Sequence, residues 1–347
     1  YEISMTQDTL FKKIQKITNA NPSPIIVLGS GASIPYGIAS MGILAKKLLD
    51  YFEKKNYTNT ESTECIKSFS TFLKENYGLE EALLKAKVTD EVENDIVCEV
   101  WKTIEENDNK VFMDLVNGKK LDLAALFDYL IYNRKDCVIN VVSTNYDRLA
   151  EYAVAMTGAY LNTGYTPVSM GKLRTNLDSY PVKTKEHYIG KVNIWKVHGS
   201  LDWFRNDVET LNLPNIREIP SKMIPCIITP GINKYEKTQQ SPHRELLSKI
   251  DECFNNASGF ICIGYGFNDN HVHPKLLEKS MQKHIPILII TKEITSPIKE
   301  KVMDGKHEYI IICEGLSGGT DIKTSDGEEL HFEKNYWQLR NFLEIIK

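Results

Sequence analysis

The segment Pro24 to Met41, PIIVLGSGASIPYGIASM, constrains the fold more than any other in the chain. Ile25, Ile26, Val27 and Leu28 are consecutive apolar residues, three of them β-branched, the pattern of a parallel strand buried on both faces. The run breaks at Gly29-Ser30-Gly31-Ala32-Ser33, where small residues permit unusual dihedrals and let a phosphate approach the backbone. A helix is predicted over Ala45–Phe52, so the glycines lie between a strand and a helix. Open α/β sheets bind nucleotide pyrophosphates at such turns. The spacing is not G-x-G-x-x-G, because Ile34, Pro35 and Tyr36 follow, and a plain strand-to-helix turn is the alternative reading.

The rest of the chain repeats this rhythm. An amphipathic helix is predicted over Thr9–Thr18. Ser68–Tyr77, Leu79–Lys87 and Glu91–Val116 alternate apolar and charged positions at helical spacing, so residues 56–120 read as a helical insertion. Helices are expected at Leu121–Tyr132, Leu149–Met156, Pro242–Asn256 and Val272–Gln282. Buried strands are expected at Cys137–Ser143, Ile194–Val197, Ile224–Thr229, Phe260–Gly264, Ile285–Thr291 and Tyr309–Cys313, with a polar loop at Pro230–Gln240. Asp321–Phe332 reads as a hairpin around Asp326-Gly327, and Tyr336–Ile346 as a closing helix. The expectation is an α/β protein with a Rossmann-like, mostly parallel sheet and helices on both faces. Residues 1–347 then form one domain, with its core at 24–55 and 121–313, the insertion at 56–120, and a C-terminal hairpin and helix at 314–347.

Composition excludes several classes of function. With 347 residues, 42% of them hydrophobic, the chain can bury a large core. A net charge of −4 and scattered lysine pairs argue against nonspecific nucleic-acid binding. No apolar run is long enough for a transmembrane helix, and the N-terminal segment lacks a signal-peptide core, so a cytoplasmic protein is expected. Seven widely spaced cysteines without a C-x-x-C pair read as buried free thiols, which suits a reducing compartment and disfavours a structural zinc site.

Polar residues gather at the predicted strand ends. Thr144-Asn145-Tyr146-Asp147 follows CVINVVS, His198-Gly199-Ser200 follows Ile194–Val197, and Gly264-Tyr265-Gly266-Phe267-Asn268-Asp269 follows Phe260–Ile263. These are ligand-binding positions in a parallel sheet. Helix capping by Asn145 or Asp147, and a structural role for His198, are the competing readings. His271 and His273 are two residues apart, poor spacing for metal ligation on one helix face, and read as capping or surface residues.

Together these segments resemble the sirtuin family. GSGAS at 29–33 is similar to the sirtuin phosphate loop, STNYD at 143–147 to the TQNID motif, KVHGS at 196–200 to the catalytic HG motif, and GYGF at 264–267 to the late cofactor loop. The longer forms STNYDRLAEYA, KVHGSLDWF, TPGINKY and IGYGFNDNHV resemble more closely the sirtuin-like, NAD-degrading proteins of bacterial antiphage defence. Two departures matter. The two C-x-x-C pairs of the sirtuin zinc module are missing, and Ile34-Pro35-Tyr36-Gly37 replaces the Pro-Asp-Phe-Arg segment.

The resemblance implies an NAD nucleosidase releasing nicotinamide and linear or cyclic ADP-ribose, with NAD as substrate and no metal. It implies pyrophosphate contacts from Gly29, Ser30, Gly31, Ala32 and Ser33, further cofactor contacts from Tyr146, Asp147, Gly264, Gly266 and Phe267, and catalysis by Asn145 and His198. An ordinary histidine titrates at about 6.5 and accepts a proton near neutral pH, which suits the role implied for His198. A metal-free protein deacylase or ADP-ribosyltransferase, and a noncatalytic NAD or ADP-ribose sensor, are the alternative functions. An effector of abortive infection must be restrained, so a homo-oligomer, a HerA-type ATPase partner or a phage-derived trigger is expected. No direct nucleic-acid or membrane partner is.

Overall fold

The computed structural model describes residues 6–132, 138–167, 169–178, 190–230 and 237–347. Cys137 and most of the TPGINKY segment lie outside them. The protein has a mixed α/β fold built on a nine-stranded sheet in the order β13-β12-β11-β10-β9-β1-β2-β5-β3. The strands are β1 (Ile25–Leu28), β2 (Val138–Ser143), β3 (Tyr160–Asn162), β5 (Lys191–Lys196), β9 (Phe260–Ile263), β10 (Ile287–Ile290), β11 (Tyr309–Glu314), β12 (Thr320–Thr324) and β13 (Glu329–Phe332). The pairings from β11 across to β3 are parallel, whereas β12 and β13 add antiparallel at one edge.

The apolar strand runs require cover on both sides, and the packing supplies it. Successive side chains of a strand point to opposite faces. Ile26 and Leu28 join one core with Val141, Ile261, Ile263 and Leu288, while Ile25 and Val27 join another with Val142, Trp195, Cys262 and Ile289. Ten helices of eight residues or more are found among the described residues: α1 (Gln7–Thr18), α2 (Met41–Phe52), α3 (Thr60–Lys74), α4 (Leu79–Ala86), α5 (Asp90–Val116), α6 (Asp122–Tyr132), α7 (Leu149–Thr157), α8 (His243–Asn255), α9 (His273–Lys283) and α10 (Leu339–Ile346). Ser40 starts α2 four residues before the expected Ala45, its hydroxyl accepting from the Ile43 amide at 3.4 Å. Residues 56–120 do form helices α3, α4 and α5.

A second sheet stands outside the sequence expectation. Strands β4 (Gly171–Lys172), β7 (Thr210–Asn212), β6 (Gly199–Arg205) and β8 (Ile224–Ile227) pair antiparallel in that order. The segment expected as a parallel core strand at Ile224–Thr229 is therefore an edge of this small sheet. Strand β6 escaped notice because Ser200 and Asp202 interrupt its apolar run, and an unpaired buried carboxylate argues against a strand. Its partner, Arg148, is remote in sequence. Trp101 of α5 clamps the small sheet by donating its indole N–H to the Leu201 carbonyl at 2.9 Å.

Strand ends of the large sheet are held in register by continued backbone pairing. Gly29 N–H donates to Ile263, Thr144 to Leu28, Val197 to Ser143 and Gly264 to Ile290. The loops after β1, β2, β5 and β9 thus emerge side by side at the carboxyl edge. Two of them touch backbone to backbone: a Cβ on Gly264, whose φ is +56°, would lie 2.3 Å from Ala32 N. Gly264→Ala is expected to cost about 2–4 kcal/mol of stability, because neither loop can retreat from the other. Chemical denaturation of the variant against the parent measures the loss.

Candidate active site

The four loops surround a cleft of about 450 Å³ that also reaches α2, α4 and α5. Gly29, Ser30, Ser33, Asn145, Tyr146, Asp147, His198 and Gly266, all singled out from sequence, line it. Gly31, Ala32, Gly264 and Phe267 do not belong to its lining. Gly31 donates to the Gly264 carbonyl at 3.0 Å, and Phe267 is fully buried against Tyr265, so these residues hold the loops together.

The loop after β1 forms two successive 3₁₀ turns, Ser30–Ala32 and Ile34–Tyr36. In its glycine-rich part, residues 29–33, the amides of Gly29, Gly31, Ala32 and Ser33 donate within the protein. Ser30 is exposed and lines the cleft. Ser33 is buried, its hydroxyl accepting from Asn145 Nδ2 at 3.1 Å. The Asn145 amide donates its other N–H to the Gly29 carbonyl at 2.9 Å. A carbonyl only accepts, so this bond fixes which way the amide points and leaves Asn145 Oδ1 as its acceptor.

Asp147 is buried, and burial raises its carboxyl above the usual range although Lys196 opposes the shift. Its Oδ1 accepts from the Leu149 amide at 3.1 Å, so the residue both caps α7 and forms cleft wall. Tyr146 is buried with its hydroxyl donating to the Ile228 carbonyl at 2.6 Å, which makes it a strut.

His198 stands where the chain leaves β5 of the large sheet and enters β6 of the small one. Gly199, at φ +89°, makes that turn, and its Cβ position lies 2.1 Å from the Cys226 carbonyl oxygen. The His198 carbonyl accepts from Ile228 N at 2.8 Å. Its Nε2 lies 2.9 Å from Asp269 Oδ2, with the carboxylate off the axis of an aligned hydrogen bond. His271, expected to be a capping or surface residue, packs edge-on to His198 with ring centroids 5.9 Å apart. His273 is buried, its Nε2 3.0 Å from Lys301 Nζ.

Sequence reasoning missed the charged groups that support these side chains. Arg148 is buried among Glu105 (2.7 Å), Asp108 (2.9 Å) and Asp202, and Asp108 also accepts from the Arg148 backbone N–H at 2.7 Å. Lys196 donates to the Asp147 carbonyl and lies 3.3 Å from Glu151. The STNYD and KVHGS segments carry Arg148 and Lys196 in or beside them, but their partners lie up to 54 residues away. Among the described residues that line the cleft, Glu80, Glu81, Asp147 and Asp269 are acidic and no lysine or arginine is present.

Residues 139–287 match the SIR2-like domain family. That span contains Asn145, Tyr146, Asp147, His198 and the loop at 264–269, but not the glycine loop at 29–33. No curated protein matches the sequence. Similar solved structures include a Sir2 homologue with a serine-to-alanine substitution, in complex with ADP-ribose. It is 15% identical, with 86% of this chain and 88% of that one covered and a TM-score of 0.47. A Sir2 homologue–NAD complex is 14% identical over 90% of each chain, with a TM-score of 0.43. Among the described residues, no group of three or more histidine, cysteine or acidic side chains is arranged to hold a metal ion.

Burial pushes the Glu151 carboxyl up to about 7 from 4.5, against the pull of Lys196. The folded chain then holds a proton that the unfolded chain releases. This contribution to stability is complete below about pH 4.5 and is lost as pH rises through 7. Relative to the parent, Glu151→Gln is therefore expected to gain on the order of 2 kcal/mol between pH 4.5 and 8. Thermal unfolding of both proteins across that range shows the difference or its absence.

Proposed function

We propose that the chain cleaves the nicotinamide–ribose bond of NAD, releasing nicotinamide and ADP-ribose. The observation that carries this reading is the convergence of Asn145, Asp147 and His198 on one cleft at the carboxyl edge of the parallel sheet. Scission of the C1′–N bond sends its electron pair to the pyridinium nitrogen and leaves positive charge on C1′ and the ring oxygen. Asn145 Oδ1, with both its amide N–H groups engaged, is an acceptor for the attacking water or a ribose hydroxyl. The water oxygen bonds to C1′ and its proton passes to His198. Asp147 is the group for the nicotinamide carboxamide, and Ser30 and the loop after β1 serve the pyrophosphate. The acidic lining favours the cationic pyridinium end over a neutral ring. The SIR2-like match over residues 139–287 supports the assignment.

Incubation of the purified protein with NAD, with and without an acetylated peptide, tests the reaction. Nicotinamide and ADP-ribose in equal amounts without peptide are expected, and peptide-dependent turnover would favour the deacylase instead. Asn145→Ala and His198→Ala are each expected to lower turnover by at least about 100-fold with the fold retained. Parental turnover in either variant, read by chromatography, contradicts the mechanism.

The same reading makes the chain the NAD-depleting effector of a bacterial antiphage system, acting in the cytoplasm. Its support is the resemblance of STNYDRLAEYA, KVHGSLDWF and IGYGFNDNHV to such proteins. Restraint then comes from self-association or a HerA-type ATPase. Helix α5, which exposes Phe112, Met113 and Val116, and the β12–β13 hairpin are the contact surfaces. Light scattering is expected to show an oligomer, alone or with a HerA-type ATPase, and a monomer in both cases rules this out.

A further inference from the structure

We propose that Asp269 is the positioning residue of His198, fixing its imidazole and stabilising the imidazolium formed in the reaction. The inference rests on the NAD-cleaving reading and extends it to a residue to which the sequence resemblance assigned no role. Asp269 Oδ2 lies 2.9 Å from His198 Nε2, and both side chains are less than a tenth exposed. The carboxylate is anchored independently of the histidine. Its Oδ1 accepts from the His271 amide at 2.7 Å, and its backbone carbonyl accepts from the His273 amide at 3.2 Å, at the start of α9. The loop that bears it is pinned at its other end, where Gly264 meets Ala32.

The chemistry follows from which nitrogen the carboxylate faces. A neutral imidazole with Nε2–H directed to Asp269 keeps its lone pair on Nδ1. The attacking water or hydroxyl gives its proton to Nδ1 as its oxygen bonds to C1′, and the Nε2 proton stays with the imidazole. Asp269 thus takes no proton. It offsets the positive charge that appears on the ring and selects the reactive tautomer. The off-axis contact is of the kind that straightens when substrate is bound.

The other titratable groups facing this site come from four elements. His271 packs against the ring from the same loop. His243 of α8 lies behind it, its titration lowered to about 3 by burial, so it stays neutral. Tyr146 is held neutral by burial, and Glu80 of α4 and Asp147 line the same cleft. Asp269 is the carboxylate at contact distance.

The test uses Asp269→Asn and Asp269→Glu in the full chain, with NAD turnover followed from pH 5.5 to 9. In Asp269→Asn, kcat is expected to fall by about 100-fold or more, with KM changed by less than about threefold. The acid limb of the pH profile is expected to move to lower pH, because the imidazolium has lost its counter-charge. Asp269→Glu keeps the charge, guards against a folding defect in the amide variant, and is expected to recover part of kcat. Ring-nitrogen NMR of His198 is expected to show Nε2–H as the dominant neutral tautomer in the parent and a mixture in Asp269→Asn. Unchanged kcat, or a fall in kcat with the acid limb and the tautomer both unmoved, overturns the proposal. If the parent releases no nicotinamide, the NAD reading fails, and the ring-nitrogen titration alone decides whether Asp269 governs His198.

Discussion

The site depends first on the buried guanidinium of Arg148. It follows directly on Asn145, Tyr146 and Asp147, and it meets Glu105 and Asp108 from the helical insertion and Asp202 from the small sheet. One side chain thereby ties the loop after β2 to two elements that a plain parallel sheet does not contain. Tyr152 completes the cluster, its hydroxyl donating to Asp108 at 2.5 Å. Loss of one partner from a buried ionic cluster typically destabilises by roughly 3–5 kcal/mol, because the remaining charges stay desolvated. Here the remaining charges would be carboxylates adjoining an already acidic cleft. Helix α5 therefore helps to hold the loop after β2 in place.

A second constraint is the close approach of the loops after β1 and β9. Gly31 and Gly264 touch through their backbones, and Asn145 reaches across to the Gly29 carbonyl and the Ser33 hydroxyl. Backbone and side-chain hydrogen bonds thus cross-link three strand ends. The Gly29 and Gly31 amides donate across to the end of β9, and those of Ala32 and Ser33 donate within the loop.

Much of this was legible in the residues. The strands at 25–28, 260–263, 287–290 and 309–314 could be read because parallel strands covered on both faces need uninterrupted apolar runs. The 320–332 hairpin could be read from its Asp326-Gly327 turn, and the insertion helices from their periodicity. What escaped depends on pairing between distant residues. Strand β6 hides a buried Asp202 that only Arg148 makes tolerable, and the two- and three-residue strands β3, β4 and β7 carry no pattern of their own. The loop through Asp269 was singled out, but the carboxylate itself drew no role, because nothing local links it to a histidine 71 positions earlier.

A dinucleotide bound in this strand-end cleft would have its reacting carbon between Asn145 and His198. A structure of the protein with ADP-ribose tests it most directly. The account predicts the pyrophosphate beside Ser30 and the ribose C1′ within reach of both Asn145 and His198. ADP-ribose bound outside the cleft, or bound within it with C1′ turned away from both residues, would contradict it.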